Sequence, residues 1–334
     1  MNALTSKEWT PATLREMVYS FQKSRTILTA YELELFTKIG DGEKTSTEIA
    51  SVIGSNRRAT DRLLNAITGM GLLEKRDDKF INTAFSKKYL VVGSPDYLGG
   101  MGHAEMLWRT WSTLTAAVIA GTSVVERRFH HDDHDPLRSF IAAMHDRGRI
   151  AATQIAAQIS WNGIHRVLDL GGGSGVYAMA FVHSSENLHA TVYDLPVVIP
   201  ITQEYISKEN LSTRIDTMAG DYHHDAIGTN YDLIFLSAVI HSNSLEENKH
   251  LIKKCALSLN ASGRIIVQDF VMDENRVTPD HGALFALNML VATNEGDTYT
   301  EREITEWLHM AGFKDVVRKE TGLGTTQIIG TKSK

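Results

Sequence analysis

The stretch Val167-Leu168-Asp169-Leu170-Gly171-Gly172-Gly173-Ser174-Gly175 limits what this chain can fold into more than any other. Its first four residues read as a buried strand. They run directly into a glycine cluster, and an apolar helical pattern follows over 176–182. A strand, a tight glycine turn and a helix in that order make a nucleotide-cofactor site, because the turn and the helix N-terminus present backbone N–H groups. Glycine permits positive φ and lets a ligand approach the backbone closely. The next strand-like run, Ala190-Thr191-Val192-Tyr193-Asp194-Leu195, carries an acid about twenty residues on, where a carboxylate can hold ribose hydroxyls.

Glycine spacing separates two cofactors. A dinucleotide fingerprint is G-x-G-x-x-G, but here the glycines fall at 171, 173 and 175, and Val176 stands where the last would be. G-x-G-x-G after an acidic strand residue is the pattern of S-adenosylmethionine (SAM) methyltransferases.

With 334 residues the chain has room for two domains. Its net charge of −6 is spread without a basic block, which argues against nucleic acid as the main partner. No apolar run is long enough to span a bilayer. Residues 1–10 are polar and lack a signal peptide's apolar core, so a cytoplasmic location is expected. The single cysteine, Cys255, lies in a helical pattern and reads as a small core residue.

Residues 1–98 read as helices followed by a short hairpin. Ile27, Leu28, Ala30, Leu33, Leu35 and Phe36 fit one buried helix face. Thr45 or Ser46 with Glu48 makes a capping box, and a helix over 57–70 turns Leu63, Leu64 and Ile67 inward before Gly71. Strands at 72–76 and 79–82 around Asp77-Asp78 complete a winged helix. Arg57, Arg58 and Arg62 on its second helix read as a solvated face, and the acidic wing argues against phosphate contact. Residues 99–150 read as connecting helices whose apolar side chains either pack as core or line a ligand pocket, Met106 and Trp108 being the pocket candidates. Between them His130-His131-Asp132-Asp133-His134-Asp135 looks like a metal site but lacks converging spacing, and reads as an exposed loop.

Residues 151–334 alternate strands (167–170, 190–195, 214–218, 231–237, 263–270, 314–320, 325–331) with helices. The expected fold is α/β: a Rossmann-like, mainly parallel sheet covered on both faces. Only Gly322-Leu323-Gly324 separates the last two strands closely, too little for a crossover helix, so the final strand should run antiparallel.

With both halves read, the chain resembles the two-domain small-molecule O-methyltransferases: the plant caffeate and isoflavone type, the acetylserotonin type and their bacterial antibiotic-pathway relatives. The N-terminal match lies in TAYELELFTKIG, TSTEIASVIGSNRRATDRLLNAITGMGLLEK and FINTAFSKKYL, the family's winged-helix dimerisation part. The C-terminal match lies in VLDLGGGSG, YDLP, AGDY and YDLIFLSAVIH, four motifs in order. The resemblance implies a homodimer and SAM as cofactor, with no metal. It places Asp169, Gly171 and Gly173 beside the methionine part of SAM and Asp194 on the ribose. Asp221 and Tyr222 would meet the adenine, Met144 would reach over the cofactor, and His241 is the implied general base. Phe285, Asn288 and Met289 fall on the implied substrate helix, one to four residues apart, so that one helical face can present them together.

The chemistry asked of His241 is sound. A sulfonium methyl is already electrophilic, so what remains is to align the acceptor and remove its proton. Two departures bear on this. Ser242 and Asn243 follow the histidine where many relatives have aspartate and tryptophan, and Thr298 falls where plant relatives place the glutamate that orients it. Glu295 or Asp297 are the nearby substitutes. Transfer to a small-molecule hydroxyl is the leading expectation; transfer to sulfur, nitrogen or carbon on the same fold stays open. A ligand-sensing winged-helix regulator is the reading from another class.

Overall fold

The computed structural model describes residues 9–125 and 134–333. The His130–Asp135 cluster lies outside the described residues, apart from the backbone of its last two positions. Backbone contacts divide the chain into two units, Met1–Glu105 and Met106–Lys334.

In the first unit α1 (Pro11–Tyr19), α2 (Phe21–Glu32) and α3 (Leu35–Ile39) precede β1 (Glu43–Thr45), α4 (Ser46–Ile53), α5 (Arg57–Gly69), β2 (Leu73–Arg76), β3 (Lys79–Asn82) and α6 (Ala84–Tyr89). The apolar run expected as one helix is two, because Glu34 takes a left-handed conformation (φ 50°) and redirects the chain before Leu35. Leu28, Ala30, Leu35 and Phe36 are still buried, the last three in one cluster with Leu64, Ile67 and Phe80. Thr45 is the N-cap of α4, with the reciprocal Glu48 bonds of a capping box. Strand order β1-β3-β2 makes a three-stranded antiparallel wing. Arg57, Arg58 and Arg62 are exposed.

The helix α7 (Met101–Trp111) leads into α8 (Leu114–Ala120) and the long α9 (His134–Gln158). Then β4 (Arg166–Leu170), α10 (Val176–Ser184), β5 (His189–Asp194), α11 (Ile199–Lys208), β6 (Ile215–Ala219) and β7 (Tyr231–Ser237) follow. The chain ends with α12 (Leu245–Ser258), β8 (Leu259–Asp269), α13 (Asp280–Ala292), α14 (Glu301–Met310), β9 (Phe313–Glu320) and β10 (Thr326–Lys332). The seven strands lie in the order β6-β5-β4-β7-β8-β10-β9. β10 is antiparallel to both β8 and β9, and the pairs from β6 to β8 are parallel.

Both faces of the sheet are covered, which explains why its central strands are apolar throughout. Period-two alternation sends Leu168, Leu170, Ile234, Leu236, Ile265 and Val267 to one face, against α12 and α14. Val167, Val192, Leu233, Phe235 and Ile266 go to the other, against α10 and the end of α9. Cys255 packs in the first of these cores, where burial pushes its thiol up to about 12. Successive strands run outward from β4 to β6, and the chain then returns to place β7 on the other side of β4. The carboxyl ends of β4 and β7 therefore frame a topological switch point, where open α/β sheets bind ligands. No helix among the described residues is long and apolar enough to cross a membrane.

Candidate active site

The glycine turn follows β4 at this switch point, and its neighbours hold it from several sides. Gly171 and Gly172 donate backbone N–H bonds to the Tyr193 carbonyl (2.8 and 3.3 Å). Gly173 donates to Asp194 Oδ2 (2.8 Å), and its carbonyl accepts from Thr202 Oγ1 (2.6 Å). Two adjacent glycines serve different purposes. A Cβ on Gly172 would stand 2.8 Å from Asp169 Cγ and from Val192 Cγ1, so crowding excludes a side chain there. At Gly173 the nearest atom would be Ile141 Cδ1 at 3.7 Å, and it is the φ of +56° that favours glycine.

The α9 helix lies against the same turn. His145 Nδ1 is 2.9 Å from Ser174 Oγ, and its ring stacks on Tyr205 with centroids 4.2 Å apart. Burial lowers the His145 pKa, favouring a neutral ring. Met144, its neighbour on α9, is half-buried.

Asp169 sits at the end of β4, only 1% exposed, and its Oδ2 accepts from the Ala178 N–H in the first turn of α10 (3.1 Å). Asp194 ends β5 and accepts from Gly173 and Leu195 N–H groups (both 2.8 Å). Burial pushes the Asp169 carboxyl up to about 7 and moves Asp194 in the same direction, and among the described residues no cationic side chain counters this at either group. Two desolvated acids among backbone N–H groups fit a ligand that brings positive charge and hydroxyls together, as SAM does.

Asp221 and Tyr222 follow β6. Asp221 is partly exposed, with Oδ1 accepting from His223 N–H (2.9 Å). Tyr222 is partly buried, which pushes its phenol up to about 12, and its hydroxyl donates to Asn243 Oδ1 (3.0 Å). Asn243 Nδ2 then donates to Asn248 Oδ1 (3.1 Å), and Asn248 Nδ2 to the Ile240 carbonyl (2.8 Å). Tyr299 donates to the Asn243 carbonyl (2.5 Å). Asn243 and Asn248 are 1% and 0% exposed, so this chain of bonds is a satisfied buried network. It links the residue expected at the adenine to the 3-10 turn Ile240–Ser242, which carries His241. Asn243, one of the departures noted in the sequence, is thus part of a polar network.

His241 is buried beyond the end of β7. Its Nδ1 lies 2.8 and 3.0 Å from the two oxygens of Asp269, at the end of β8. Asp269 Oδ1 also accepts from Phe270 N–H (2.8 Å). An ionised carboxylate only accepts, so the neutral ring carries its proton on Nδ1 and keeps the Nε2 lone pair. Phe285 packs against the ring in a T-shaped contact, with centroids 4.8 Å apart at 82°. The partner of His241 is thus Asp269, and neither of the two acids expected as substitutes. Asp297 pairs with Arg276 (3.5 Å), and Glu295 is exposed. The segment does pass close by: a Cβ on Gly296 would be 2.5 Å from the His241 carbonyl.

Asp269 was legible in principle. It follows Ile265-Ile266-Val267-Gln268, a buried apolar strand that ends in two polar residues at the carboxyl edge of the sheet. On α13, Phe285 and Asn288 are half-buried and Met289 is buried. Asn288 Oδ1 accepts from Trp111 Nε1 (2.9 Å). Met106 and Trp108 lie half-buried on α7. Among the described residues no group of three or more His, Cys, Asp or Glu is arranged to hold a metal ion.

Comparison with known proteins gives the family. Residues 114–314 match the model of an O-methyltransferase domain, and residues 16–92 match that of an O-methyltransferase dimerisation domain. The chain is 32% identical to 3-hydroxy-5-methyl-1-naphthoate 3-O-methyltransferase of Streptomyces sahachiroi, over 92% of this chain and 90% of that protein. It is 27% identical to the tetracenomycin polyketide synthesis 8-O-methyl transferase TcmO of Streptomyces glaucescens, over 96% and 97%. The solved structure of PigF with SAH superposes with a TM-score of 0.89 at 23% identity, covering 97% of this chain and 100% of that one. Matched by the catalytic-domain model from α8 to β9 and by the dimerisation model before it, the chain belongs to the O-methyltransferase family and is a SAM-dependent methyltransferase.

Proposed function

We propose that the enzyme methylates an aromatic hydroxyl on a small, flat molecule, with His241 as general base and Asp269 as the residue that orients it. The observation that carries this reading is the buried His241–Asp269 pair with Phe285 in a T-shaped contact with the imidazole. When bound, SAM supplies a methyl group on a cationic sulfur. Asp169, Asp194 and the Gly171–Gly173 backbone would hold the cofactor, with Asp221 and Tyr222 toward its adenine and Met144 over it. His241 Nε2 would take the acceptor's hydroxyl proton as the oxygen–carbon bond forms and the sulfur–carbon bond breaks, the sulfur leaving as a neutral thioether, and Asp269 would stabilise the resulting imidazolium. Phe285 and Phe270, with centroids 4.4 Å apart, offer an apolar wall to an arene. Two of the relatives act, by name, on a hydroxynaphthoate and in tetracenomycin polyketide synthesis, which favours an aromatic acceptor.

Labelled SAM incubated with matched naphthols, naphthalenethiols and naphthylamines tests the reading. Transfer to the naphthol is expected, with His241→Ala lowering kcat about a hundredfold or more and leaving SAM affinity nearly unchanged. Transfer confined to the thiol or amine, indifferent to His241→Ala, would replace it.

The working unit is a homodimer formed through the N-terminal unit. Support comes from the dimerisation-domain match and from α1, which has no buried residue and exposes Leu14, Met17, Val18 and Tyr19 by 53%, 49%, 58% and 57%. Light scattering at micromolar concentration should give twice the chain mass, and a clean monomer would refute it.

A further inference from the structure

The long helix α9 lies along the glycine turn in register. Ile141, His145 and Gly148 fall at i, i+4 and i+7, so they share one helical face. Each meets a successive part of the turn. A Cβ on Gly173 would stand 3.7 Å from Ile141 Cδ1, His145 Nδ1 is 2.9 Å from Ser174 Oγ, and a Cβ on Gly148 would stand 2.7 Å from Val176 Cγ1. The helix thus comes closer to the start of α10 than a side chain at 148 would allow. One turn before Ile141, Arg138 makes two bonds to Glu204 of α11 (2.8 and 2.7 Å), and the His145 ring stacks on Tyr205 of the same helix. Of these contacts, the His145–Ser174 bond is the polar tie to the turn itself.

Ser174 also has a donor to spare. The N–H groups of Gly171 and Gly172 go to the Tyr193 carbonyl, that of Gly173 to Asp194 Oδ2, and that of Gly175 to the Gly172 carbonyl. Among the described residues nothing accepts from the Ser174 N–H, although Ser174 is only 2% exposed. A buried backbone donor without a partner is rare, and it fits a ligand that completes it. The methionine end of SAM carries an ammonium and a carboxylate. Asp169 suits the first, and the open Ser174 N–H at the start of α10 suits the second. Backbone rich in glycine is conformationally free, so a donor within it binds best when a neighbour fixes it. The serine hydroxyl donates or accepts, so it bonds to His145 in either tautomer of the ring.

We infer that His145 is a positioning residue for the cofactor: through Ser174 Oγ it holds the Ser174 N–H where the carboxylate of SAM meets it. Ordering of the turn then precedes binding, and affinity for the amino-acid end gains. This rests on the proposed placement of the cofactor against the glycine turn.

The test compares two ligands that share adenine, ribose and a thioether sulfur: S-adenosylhomocysteine, and 5′-methylthioadenosine, which lacks the amino-acid end. Calorimetry gives the dissociation constant of each on the full-length protein. The wild type should prefer S-adenosylhomocysteine by about a hundredfold or more, as expected for charge-assisted contacts to both the ammonium and the carboxylate. His145→Phe keeps a ring for Tyr205 and removes the bond. It should cut the preference roughly tenfold and bind methylthioadenosine within about twofold of wild type. His145→Asn keeps a polar atom for Ser174 and should restore most of the preference. Ser174→Ala should lose as much as His145→Phe, and the double variant no more than either, since the same bond is removed in all three. Each preference compares two ligands on one variant, so a general loss of fold does not imitate the result. A preference that survives His145→Phe, an equal loss in His145→Asn, or additive losses in the double variant would overturn the role of His145 alone. A wild type that binds the two ligands alike would overturn the placement of the cofactor, and the inference with it.

Discussion

Asp269→Asn isolates the proposed orienting role, because the substitution changes two atoms and almost no volume. Asp269 Oδ1 accepts from the Phe270 N–H at 2.8 Å and lies 2.8 Å from His241 Nδ1, while Oδ2 lies 3.0 Å from the same nitrogen. In the variant the amide oxygen must stay on the Phe270 N–H, since the flipped amide would set a donor against a donor. The NH2 group then occupies the Oδ2 position and faces Nδ1. That donor favours a bare Nδ1 and shifts the neutral ring's hydrogen toward Nε2, against the retained oxygen 2.8 Å away, and in either tautomer the substitution removes the carboxylate charge that stabilises the imidazolium. The loss should approach that of the base itself, about 10²–10⁴ in kcat, or roughly 3–5 kcal/mol of barrier. SAM affinity by calorimetry should change by less than about threefold, because uniform binding is untouched. The assay is turnover of a naphthol with labelled SAM, run beside His241→Ala. If Asp269→Asn turns over within about threefold of wild type while His241→Ala is strongly impaired, the tautomer argument is wrong.

Three further outcomes are expected. Gly172→Ala should lower thermal stability more than Gly173→Ala, by roughly 2–3 against 1–2 kcal/mol, since the first places a Cβ 2.8 Å from Asp169 and Val192 and the second meets only an unfavourable φ; denaturant titration giving the reverse order would refute the assignment of crowding to 172. The cofactor-free protein should lose stability as pH rises from about 4 to 7, because the folded Asp169 carboxyl, raised from 3.8 to about 7, holds a proton that the unfolded chain has released, and Asp194 acts in the same direction. Asp169→Asn should flatten part of that slope and be more stable at neutral pH by roughly 4 kcal/mol, and parallel melting-temperature curves for variant and wild type would contradict this. Asn248→Leu strands the Ile240 carbonyl and the Asn243 amide, so it should cost roughly 2–4 kcal/mol in a denaturant titration and lower kcat more than it raises the KM for SAM; a variant as stable as wild type would show that the network bears no stability.

What the sequence settled by itself is local and periodic. The glycine spacing at 171–175, the acid at Asp194 and the alternation of apolar strands with helices are short-range patterns, and each dictates its own conformation. The Thr45–Glu48 capping box and the antiparallel last strand were legible for the same reason, being fixed by residues within a few positions of one another. The helix break at Glu34 was not, because a left-handed residue other than glycine is held by the packing on both sides of it rather than by its own preference. The pairs that define the candidate site are long-range. His241 meets Asp269 across 28 positions, and Trp111 meets Asn288 across 177. Asn243 and Asn248 are close in sequence, yet their joining to Tyr222 and Tyr299 depends on β6 and the approach to α14 arriving beside the same turn. Periodicity shows which face of an element is buried and is silent on which polar group on another element it will face. Only the sheet order, with β7 and β8 laid side by side and their carboxyl ends level, brought the imidazole and its carboxylate within hydrogen-bonding distance.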